Sequence, residues 1–307
     1  MEDADRALRE LAESLCSAAG AARVVDVEPP AFASSNQNAI VVDAAGDRFV
    51  LRVYGEKPEP HTAQARARRE RWVLEMLADA GAPVPRPLAA ADGALLLPFV
   101  DGEALGTLAA RRPPAEVAGA WEAAGEALAH VHAVDNERAA AAGCAEVGIR
   151  APDASRGLFH YEEALTHLDA IGAKPLIELV EAARPLYEQA PLVLCQYDAH
   201  LWQFRLIRRG GRWECTAILD WEHADLDDPD WDLAQLDVFR FEPVGPVPPA
   251  FFRGYGRSPT SPLYTLYRIE RAAWVLAAHA RGAAWLDGSV PLAERVLVDA
   301  LTADRRR

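Results

Sequence analysis

The sequence predicts an α+β protein built from two lobes, and three observations support this fold class. Apolar runs typical of strands are concentrated in the first third of the 307 residues. Apolar residues at helical spacing dominate the remainder, and half of all residues are apolar, as in a globular protein with a sizeable core. Residues 98–102, which include Pro98 and Gly102, interrupt the pattern between the two regions. We therefore expect a first lobe over residues 1–98 and a helical second lobe over residues 99–307.

The first lobe is expected to contain two helices and a small sheet. In residues 3–19, Leu and Ala recur among charged residues at helical spacing, which predicts a helix. Short apolar runs predict strands at residues 24–27, 40–42, 49–54 and 95–97. A longer helix over residues 62–80 should end at Gly81, because three prolines follow it at Pro83, Pro85 and Pro87.

The second lobe is expected to hold helices and one β-hairpin. Helical spacing recurs in residues 114–134, 161–170, 174–189, 264–281 and 290–303. Residues 204–207 and 213–219 alternate in polarity on either side of Gly210 and Gly211. Tight hairpin turns need positive φ, which glycine adopts readily, so this pattern predicts two antiparallel strands.

Three polar residues flank the predicted hairpin. Asp198 and Gln203 precede its first strand, and Asp220 follows its second. Because antiparallel pairing brings the start of one strand beside the end of the other, we expect these side chains to meet. Phosphoryl transfer from a nucleotide needs a carboxylate that orients a hydroxyl group and oxygen ligands that hold magnesium. This segment could supply all of them.

The same residues carry a resemblance to a known family. Residues 196–203 read Gln-Tyr-Asp-Ala-His-Leu-Trp-Gln, and residues 219–222 read Leu-Asp-Trp-Glu. The segment resembles the aminoglycoside phosphotransferase family of small-molecule kinases, whose catalytic loop reads roughly His-Gly-Asp-x-His-x-x-Asn and whose metal loop reads Ile-Asp-Trp-Glu. Residues 227–234 similarly resemble the Gly-Asp-Pro-x-x-Asp-Leu-Ala that follows in the family. The resemblance covers residues 25–282 and implies a protein-kinase-like fold, with a small β-rich first lobe and a larger helical second lobe.

The resemblance implies a role for each polar residue of the two loops. Asp198 would be the catalytic base that deprotonates the acceptor hydroxyl group, and Asp220 and Gln203 would hold Mg²⁺. His200 and Asp232 would support the catalytic loop. Three residues depart from the family pattern, namely Gln196, Tyr197 and Gln203. The carbonyl of Gln203 sits one methylene further from the backbone than that of the usual Asn, which predicts a shifted loop or a weaker or water-mediated metal contact.

The first lobe is expected to bind the nucleotide. The resembled family often covers the phosphates with a polar loop between two strands, and three residues of a glycine-free loop occupy that place here: Ser34, Ser35 and Asn36. An ordinary Ser/Asn turn is the alternative. Arg52, inside an apolar strand, would bind phosphate and needs an acidic partner. Glu70 matches the family position for that partner, and Glu75 is its rival. The linker residues complete the predicted nucleotide site: Pro98, Phe99 and Val100.

The predicted function is Mg²⁺-dependent transfer of the γ-phosphoryl group of ATP, or of GTP, to a hydroxyl group of a small molecule. An aminoglycoside or another antibiotic is the first candidate acceptor, and a sugar or a choline-like amino alcohol is the alternative. A catalytically silent nucleotide-binding protein is the competing hypothesis, motivated by the three departures. Four acids could bind a cationic acceptor, and each could equally belong to a solvated surface: Glu162, Glu163, Glu222 and Asp237.

The composition limits which other binding partners and which cellular location we expect. The net charge of −14 argues against nucleic acid and would suit a cationic acceptor. No apolar run approaches the ~20 residues of a membrane span, and the acidic start is unlike a signal peptide. Four scattered cysteines favour reduced thiols and the cytoplasm. The acidic run over residues 225–232 lacks the glycine of an EF-hand and is interrupted by Pro229, which argues against a calcium loop. We expect a monomer or a homodimer.

Overall fold

The first third of the chain forms a five-stranded antiparallel sheet. The computed structural model describes residues 2–28, 36–58, 61–134, 147–149, 156–240, 244–259 and 262–304. The sheet has the strand order β1-β2-β3-β5-β4. Its strands are β1 (Val24–Glu28), β2 (Gln37–Asp43), β3 (Arg48–Val53), β4 (Ala89–Ala91) and β5 (Ala94–Pro98).

Both faces of this sheet are covered because its central strands are apolar on both sides. Helix α1 (Glu2–Ala18) contacts β1, β4 and β5, whereas α2 (Ala63–Asp79) contacts β5. Leu96 of β5 belongs to the core that includes α1, and its neighbours Leu95 and Leu97 belong to the core that includes α2. This alternation is the period of two that a strand imposes on its side chains.

The predicted boundaries of α2 are confirmed, and its ends have identifiable causes. The hydroxyl of Thr62 accepts a hydrogen bond from the backbone N–H of Ala65 at 3.2 Å and caps the first turn. Gly81, just after the helix, has a φ of +78°, which glycine adopts without strain. Strand β2 is longer than the predicted 40–42 because residues 37–39 pair with residues 51–53 of β3.

The remainder of the chain is mainly helical. Its helices are α3 (Leu105–Arg111), α4 (Pro114–His132), α5 (Arg156–Ala170), α6 (Lys174–Ala182), α7 (Arg184–Tyr187), α8 (Pro229–Val238), α9 (Pro249–Tyr255), α10 (Pro262–Ala280) and α11 (Val290–Asp304). Helix α10 packs against α5, α8 and α11. Every residue of α8 after its first is buried, so this short helix lies at the centre of the helical region.

One predicted helix was wrong in extent. The segment 174–189 is divided into α6 and α7, and the division falls at Ala183. Pro185 lies in the first turn of α7, where its missing N–H and its ring prevent a continuous helix but suit a new helix start.

The predicted hairpin is confirmed and determines the position of the candidate site. Strands β8 (Phe204–Arg209) and β9 (Arg212–Ile218) pair through a turn in which Gly210 and Gly211 have φ of +58° and +84°. The N–H of Leu219 donates to the carbonyl of Gln203 at 2.9 Å, which extends the ladder beyond both strands. The loop before β8 and the loop after β9 are therefore held side by side.

Two short sheets complete the helical region. Strand β6 (Glu103–Ala104) adds to β8, and β7 (Val193–Cys195) pairs with β10 (Asp225–Asp227). The two loops that carry Asp198 and Asp220 thus each connect one short sheet to the other. None of the helices in the described part of the chain combines the length and apolarity needed to span a membrane.

Candidate active site

The catalytic loop before β8 and the metal loop after β9 are tied together by a buried amide. Nε2 of Gln196 donates to the carbonyl of Leu219 at 2.9 Å and to the carbonyl of Asp220 at 2.7 Å. Asp220 has a φ of +65°, a conformation that is strained for a residue other than glycine. The residue that departs from the family's His therefore holds the metal loop in its unusual conformation.

Asp232, at the start of α8, fixes the backbone of the catalytic loop. Its carboxylate accepts hydrogen bonds from the N–H groups of Gln196 at 2.7 Å and Tyr197 at 3.0 Å. Nε2 of His132 on α4 lies 3.2 Å from the same carboxylate. The helix itself begins at Asp228, whose side chain accepts from the N–H of Asp230.

Tyr197 is held in a left-handed conformation by contacts of its side chain. Its φ is +68°, where the family's usual small residue would be less strained. Its hydroxyl donates to the carboxylate of Asp227 and lies 3.1 Å from Nε2 of His160. His160 is fully buried and stacks on Trp231, with the ring centroids 3.8 Å apart. The bulk of Tyr197 is thus accommodated by a buried network next to Asp198.

The histidine of that network is favoured in its protonated form. Burial opposes protonation of His160, but the charges of Asp227 and Glu270 outweigh it and raise its pKa to about 10. The imidazole lies 2.9 Å from Asp227 and 3.5 Å from Glu270. Neither the network nor its histidine was expected from the sequence, since residues 160, 227 and 270 belong to three distant segments.

Asp198 has the protonation properties of a general base. Its carboxylate accepts from Nε2 of Gln235 at 3.3 Å and lies 3.8 Å from Nε2 of His200. Burial, followed by the negative charge of Asp220, raises the pKa of Asp198 to about 7. A carboxyl group that titrates near neutral pH is well matched to accepting a proton from a hydroxyl group.

The side chain of Gln203 is buried beside the same loop. Its amide lies 2.9 Å from Nε2 of His200. Burial lowers the pKa of His200 to about 4, so the imidazole is neutral at physiological pH. His200 therefore contacts the amide of Gln203 and lies 3.8 Å from Asp198, within the loop it was predicted to support.

Arg52 lies at the centre of a cluster of three carboxylates. Its Nε is 3.1 Å from Glu70, and its terminal nitrogen contacts both Asp220 and Glu222, the latter at 3.2 Å. Burial would lower the pKa of Arg52, but the adjacent charges, Asp220 first, raise it well above its usual value. Glu75, the rival partner, instead pairs with Arg71 at 2.8 Å on the same helix.

Five of the six described residues predicted to bind the nucleotide line one cavity, and Asn36 does not. A cavity of about 280 Å³ is bounded by Arg52, Glu70 and Asp220 and by the linker residues Pro98, Phe99 and Val100. Apolar side chains of the sheet form its other wall: Ile40, Val50 and Leu97. Asn36 lies close by, and its Nδ2 donates to Glu222 at 2.8 Å. Ser34 and Ser35 lie outside the described residues.

A second, larger cavity borders the predicted catalytic loop, residues 196–203. It has a volume of about 650 Å³ and includes Asp198 and Tyr197 in its wall. Aromatic and basic side chains from several elements surround them: His61, Arg69, Phe159, His223, Trp231, Arg271 and Trp274. Asp198 borders this second cavity and Asp220 borders the first, so the two adjoining loops each contribute one aspartate to a different cavity.

Of the four acids predicted to bind an acceptor, the structure brings only Glu163 to this cavity. Glu162 is exposed on the same helix. Glu222 is buried with Arg52 and with Arg66, whose Nη1 lies 3.2 Å from it. Asp237 is buried and pairs with Arg268 at 2.7 Å. Glu222 and Asp237 are therefore paired with arginines of the protein itself, since a buried carboxylate requires a partner.

Sequence reasoning missed several residues of the site. Gln235 contacts Asp198, and its only sequence signal is a position three residues after Asp232 on the same helix. Arg271 and Trp274, three apart on α10, line the larger cavity. Their spacing indicates a shared helix face, but nothing local predicts which cavity that face borders.

Comparisons with known proteins agree with this arrangement. A sequence model of the phosphotransferase enzyme family matches residues 26–290. No curated protein sequence matches the chain. The crystal structure of macrolide 2′-phosphotransferase from Brachybacterium faecium is similar, with a TM-score of 0.60 and 22% identity over 92% of this chain and 96% of that chain.

Two further solved structures show the same fold. The GDP complex of aminoglycoside 2′-phosphotransferase-IIIa has a TM-score of 0.63 at 17% identity, covering 90% of this chain and 94% of that chain. An ethanolamine kinase from Plasmodium vivax has a TM-score of 0.58 at 14% identity, covering 89% of this chain and 82% of that chain. These similarities confirm the predicted α+β, protein-kinase-like fold.

Proposed function

Because the chain belongs to the phosphotransferase enzyme family, we propose that it transfers the γ-phosphoryl group of ATP, or of GTP, to a hydroxyl group of a small molecule. One observation carries the proposal. Asp198 and Asp220 lie on adjoining loops. Asp220 borders the smaller cavity, which Arg52 also lines, and Asp198 borders the larger cavity. Phosphoryl transfer needs this arrangement, since the donor and the acceptor must approach the same point from opposite sides.

The smaller cavity is proposed to bind the nucleotide. Its apolar wall suits a planar base, and the guanidinium of Arg52 suits a phosphate, which arginine can grip with two parallel hydrogen bonds. Glu70 orients that guanidinium through the 3.1 Å contact to its Nε. A nucleotide phosphate would compete with Asp220 for Arg52, so nucleotide binding would release one oxygen of Asp220.

The residues proposed to hold Mg²⁺ fit that ion. Asp220 and Gln203 offer a carboxylate and an amide carbonyl, which are the hard oxygen ligands that magnesium prefers. Asp220 is also only partly covered, with 27% of its side chain exposed. When bound, the ion would neutralise charge on the phosphates. The antibiotic acceptor and the dependence on Mg²⁺ are both part of this proposal.

Asp198 is proposed to receive the proton of the acceptor hydroxyl group. The oxygen of that group then bonds to the γ-phosphorus as the bond to the β-phosphate oxygen breaks, giving a phosphorylated acceptor and ADP. The pKa of about 7 means that a large share of Asp198 is ionised at physiological pH and can take this proton. Gln235 keeps the carboxylate oriented through its 3.3 Å hydrogen bond.

The departures from the family pattern do not favour a catalytically silent protein. Gln196 makes two hydrogen bonds to the metal loop, and Tyr197 is anchored through its hydroxyl and its N–H. Both residues therefore stabilise the loops that carry the two aspartates. A protein that had lost catalysis would have no need to keep those loops in a strained conformation.

The test is transfer of radiolabelled phosphate from ATP to a panel of antibiotics, sugars, hydroxy acids and amino alcohols. Asp198→Asn should reduce transfer at least ~10²-fold while leaving the ATP-induced rise in melting temperature intact. Asp169→Asn, which makes the same change at an exposed position of α5, is the matched control. An absence of transfer to every acceptor, together with an ATP-induced shift that ignores Mg²⁺, would support the silent alternative instead.

A further inference from the structure

The larger cavity contains a guanidinium group whose faces are covered and whose Nε has no hydrogen-bond partner in the described part of the chain. Arg271 on α10 lies over the ring of Trp231 and the ring of Trp274, with its Cζ 4.7 Å from each ring centroid. Such stacking satisfies the flat faces of a guanidinium but uses none of its N–H groups, which lie in its plane.

The N–H groups of Arg271 have no carboxylate partner in the described part of the chain. Its Nε is buried without a hydrogen-bond acceptor among the described residues, and none of their carboxylates lies within 4.0 Å of it. Glu270, its neighbour in sequence, faces His160 instead. Burial lowers the pKa of Arg271, and the more distant charges of Glu270 and Glu163 offset this only in part. Buried polar groups in proteins are normally paired, so this group is available to a ligand.

A second arginine lies in the wall of the same cavity and adds positive charge to it. The guanidinium of Arg69 lies in its wall, held by the carbonyls of Val147 at 3.3 Å and Gly148 at 2.8 Å. Burial, and then the positive charge of Arg69, lower the pKa of His61 in the same wall. The neutral form of His61 is therefore favoured, and the cations of the wall are Arg69 and Arg271. An amino-rich aminoglycoside would have to place several ammonium groups near both guanidinium groups, with the acids Asp198, Glu163 and Asp225 as their counter-charges.

The remaining wall is aromatic. Phe159, Tyr197, Trp231 and Trp274 supply flat apolar surface in a cavity whose volume is typical of sites for drug-sized ligands. Asp198 and Arg271 line the same space, so one ligand in this cavity could place a hydroxyl group at Asp198 and an anionic group at Arg271.

We propose that the acceptor of this enzyme is a hydroxy acid with an apolar or aromatic body, whose carboxylate binds the N–H edge of Arg271. The proposal rests on the phosphotransferase function proposed above. It replaces the polycationic aminoglycoside, the first acceptor expected from the sequence, with an acceptor of opposite charge. Arg271 is then a specificity-determining residue of the acceptor site.

The test uses two probes that differ only in charge, para-hydroxymethylbenzoate and para-hydroxymethylbenzamide. Their binding to the full chain is measured by isothermal titration calorimetry. We expect the benzoate to bind wild type about 10-fold (about 1.4 kcal/mol) more tightly than the benzamide, since hydrogen bonds to a charged acceptor are stronger than those to a neutral one. Arg271→Gln should abolish this preference, because glutamine offers no charge.

Two further variants separate the role of Arg271 from a general effect on folding. Arg271→Lys keeps the charge but loses the planar edge, and should retain part of the preference for the benzoate. Arg281→Gln removes the same charge at an exposed position just after α10 and should leave the preference unchanged. Equal affinity of wild type for both probes, or a preference that survives Arg271→Gln, would overturn the proposal.

Different measurements would refute the phosphotransferase function and the hydroxy-acid acceptor. Binding of ATP with Mg²⁺ needs no acceptor and tests the phosphotransferase function alone. If ATP binds and amino alcohols or aminoglycosides are phosphorylated equally well by wild type and Arg271→Gln, the hydroxy-acid proposal is wrong and the function stands. If the benzoate binds through Arg271 but ATP does not bind, the phosphotransferase function is wrong and the anion site stands.

Discussion

The amide of Gln196 offers a graded test of how the two loops are held together. It is completely buried and donates two hydrogen bonds, to the carbonyls of Leu219 and Asp220. Gln196→Met keeps the size of the side chain but removes both donors. Each hydrogen bond contributes about 0.5–1.5 kcal/mol. The loss is offset in part because Oε1 of Gln196 has no partner among the described residues and also disappears.

We therefore expect Gln196→Met to lower the free energy of unfolding by about 2 kcal/mol. Gln196→His, which restores the residue of the resembled family, offers one ring N–H toward these carbonyls and should lose about half as much. Urea denaturation measures both values, provided that the slope of the free energy against urea concentration stays constant. Gln189→Met, at an exposed position, is the matched control and should stay within about 0.5 kcal/mol of wild type.

The same series should affect catalysis through Asp220. Because Gln196 holds the carbonyl of Asp220, its loss frees the metal loop from a strained φ, and the concentration of Mg²⁺ needed for half-maximal phosphate transfer should rise in the order Gln, His, Met. The reasoning is refuted if Gln196→Met matches the stability of the Gln189→Met control, or if the order of the series is reversed.

Three further predictions concern the other charged and polar groups of the site. Gln203→Asn should keep or improve the affinity for Mg²⁺ and Gln203→Ala should weaken it, as measured by the Mg²⁺ dependence of phosphate transfer; an identical dependence in both variants would show that Gln203 is not a ligand. Arg52→Gln leaves Glu70 buried without its cation and removes one of the cations of Glu222, so it should lower the free energy of unfolding by about 3 kcal/mol in urea, whereas a loss confined to ATP affinity would mean that the carboxylates find other partners. The pKa of His160 is raised from 6.5 to about 10, so the stability that its charge contributes is complete below pH 6.5 and falls as the pH rises through 10. His160→Gln should flatten that decline in melting temperature between pH 7 and 10, and a decline as steep as that of wild type would refute the assignment.

The parts of the site that the sequence predicted depend on local patterns. Alternating polarity and two glycines predict the hairpin, and the hairpin alone requires the loops of Asp198 and Asp220 to adjoin. For the acidic partner of Arg52, the sequence left two candidates, Glu70 and Glu75. These positions lie on different faces of α2, and only the packing of that helix on the sheet decides which one faces Arg52.

The parts that the sequence did not predict depend on packing between distant segments. Arg271 stacks on Trp231 because α8 and α10 pack together, and no spacing within either helix indicates that contact. Asp237 was expected to bind an acceptor, but Arg268 on the neighbouring helix neutralises it. In both cases the arrangement of the helices determines the partner of a charged side chain, and local sequence patterns do not predict that arrangement.

The two aspartates border separate cavities, which has a consequence for how such an enzyme diversifies. The cavity proposed for the nucleotide is built mainly from the sheet and the linker, whereas the helices α5, α8 and α10 supply much of the wall of the cavity proposed for the acceptor. Substitutions at Phe159, Glu163, Arg271 or Trp274 therefore alter one wall without touching the groups beside Arg52. A mutant library confined to these four positions should yield enzymes with new acceptors and an unaltered affinity for ATP, so that the choice of acceptor can be selected independently of the phosphate donor.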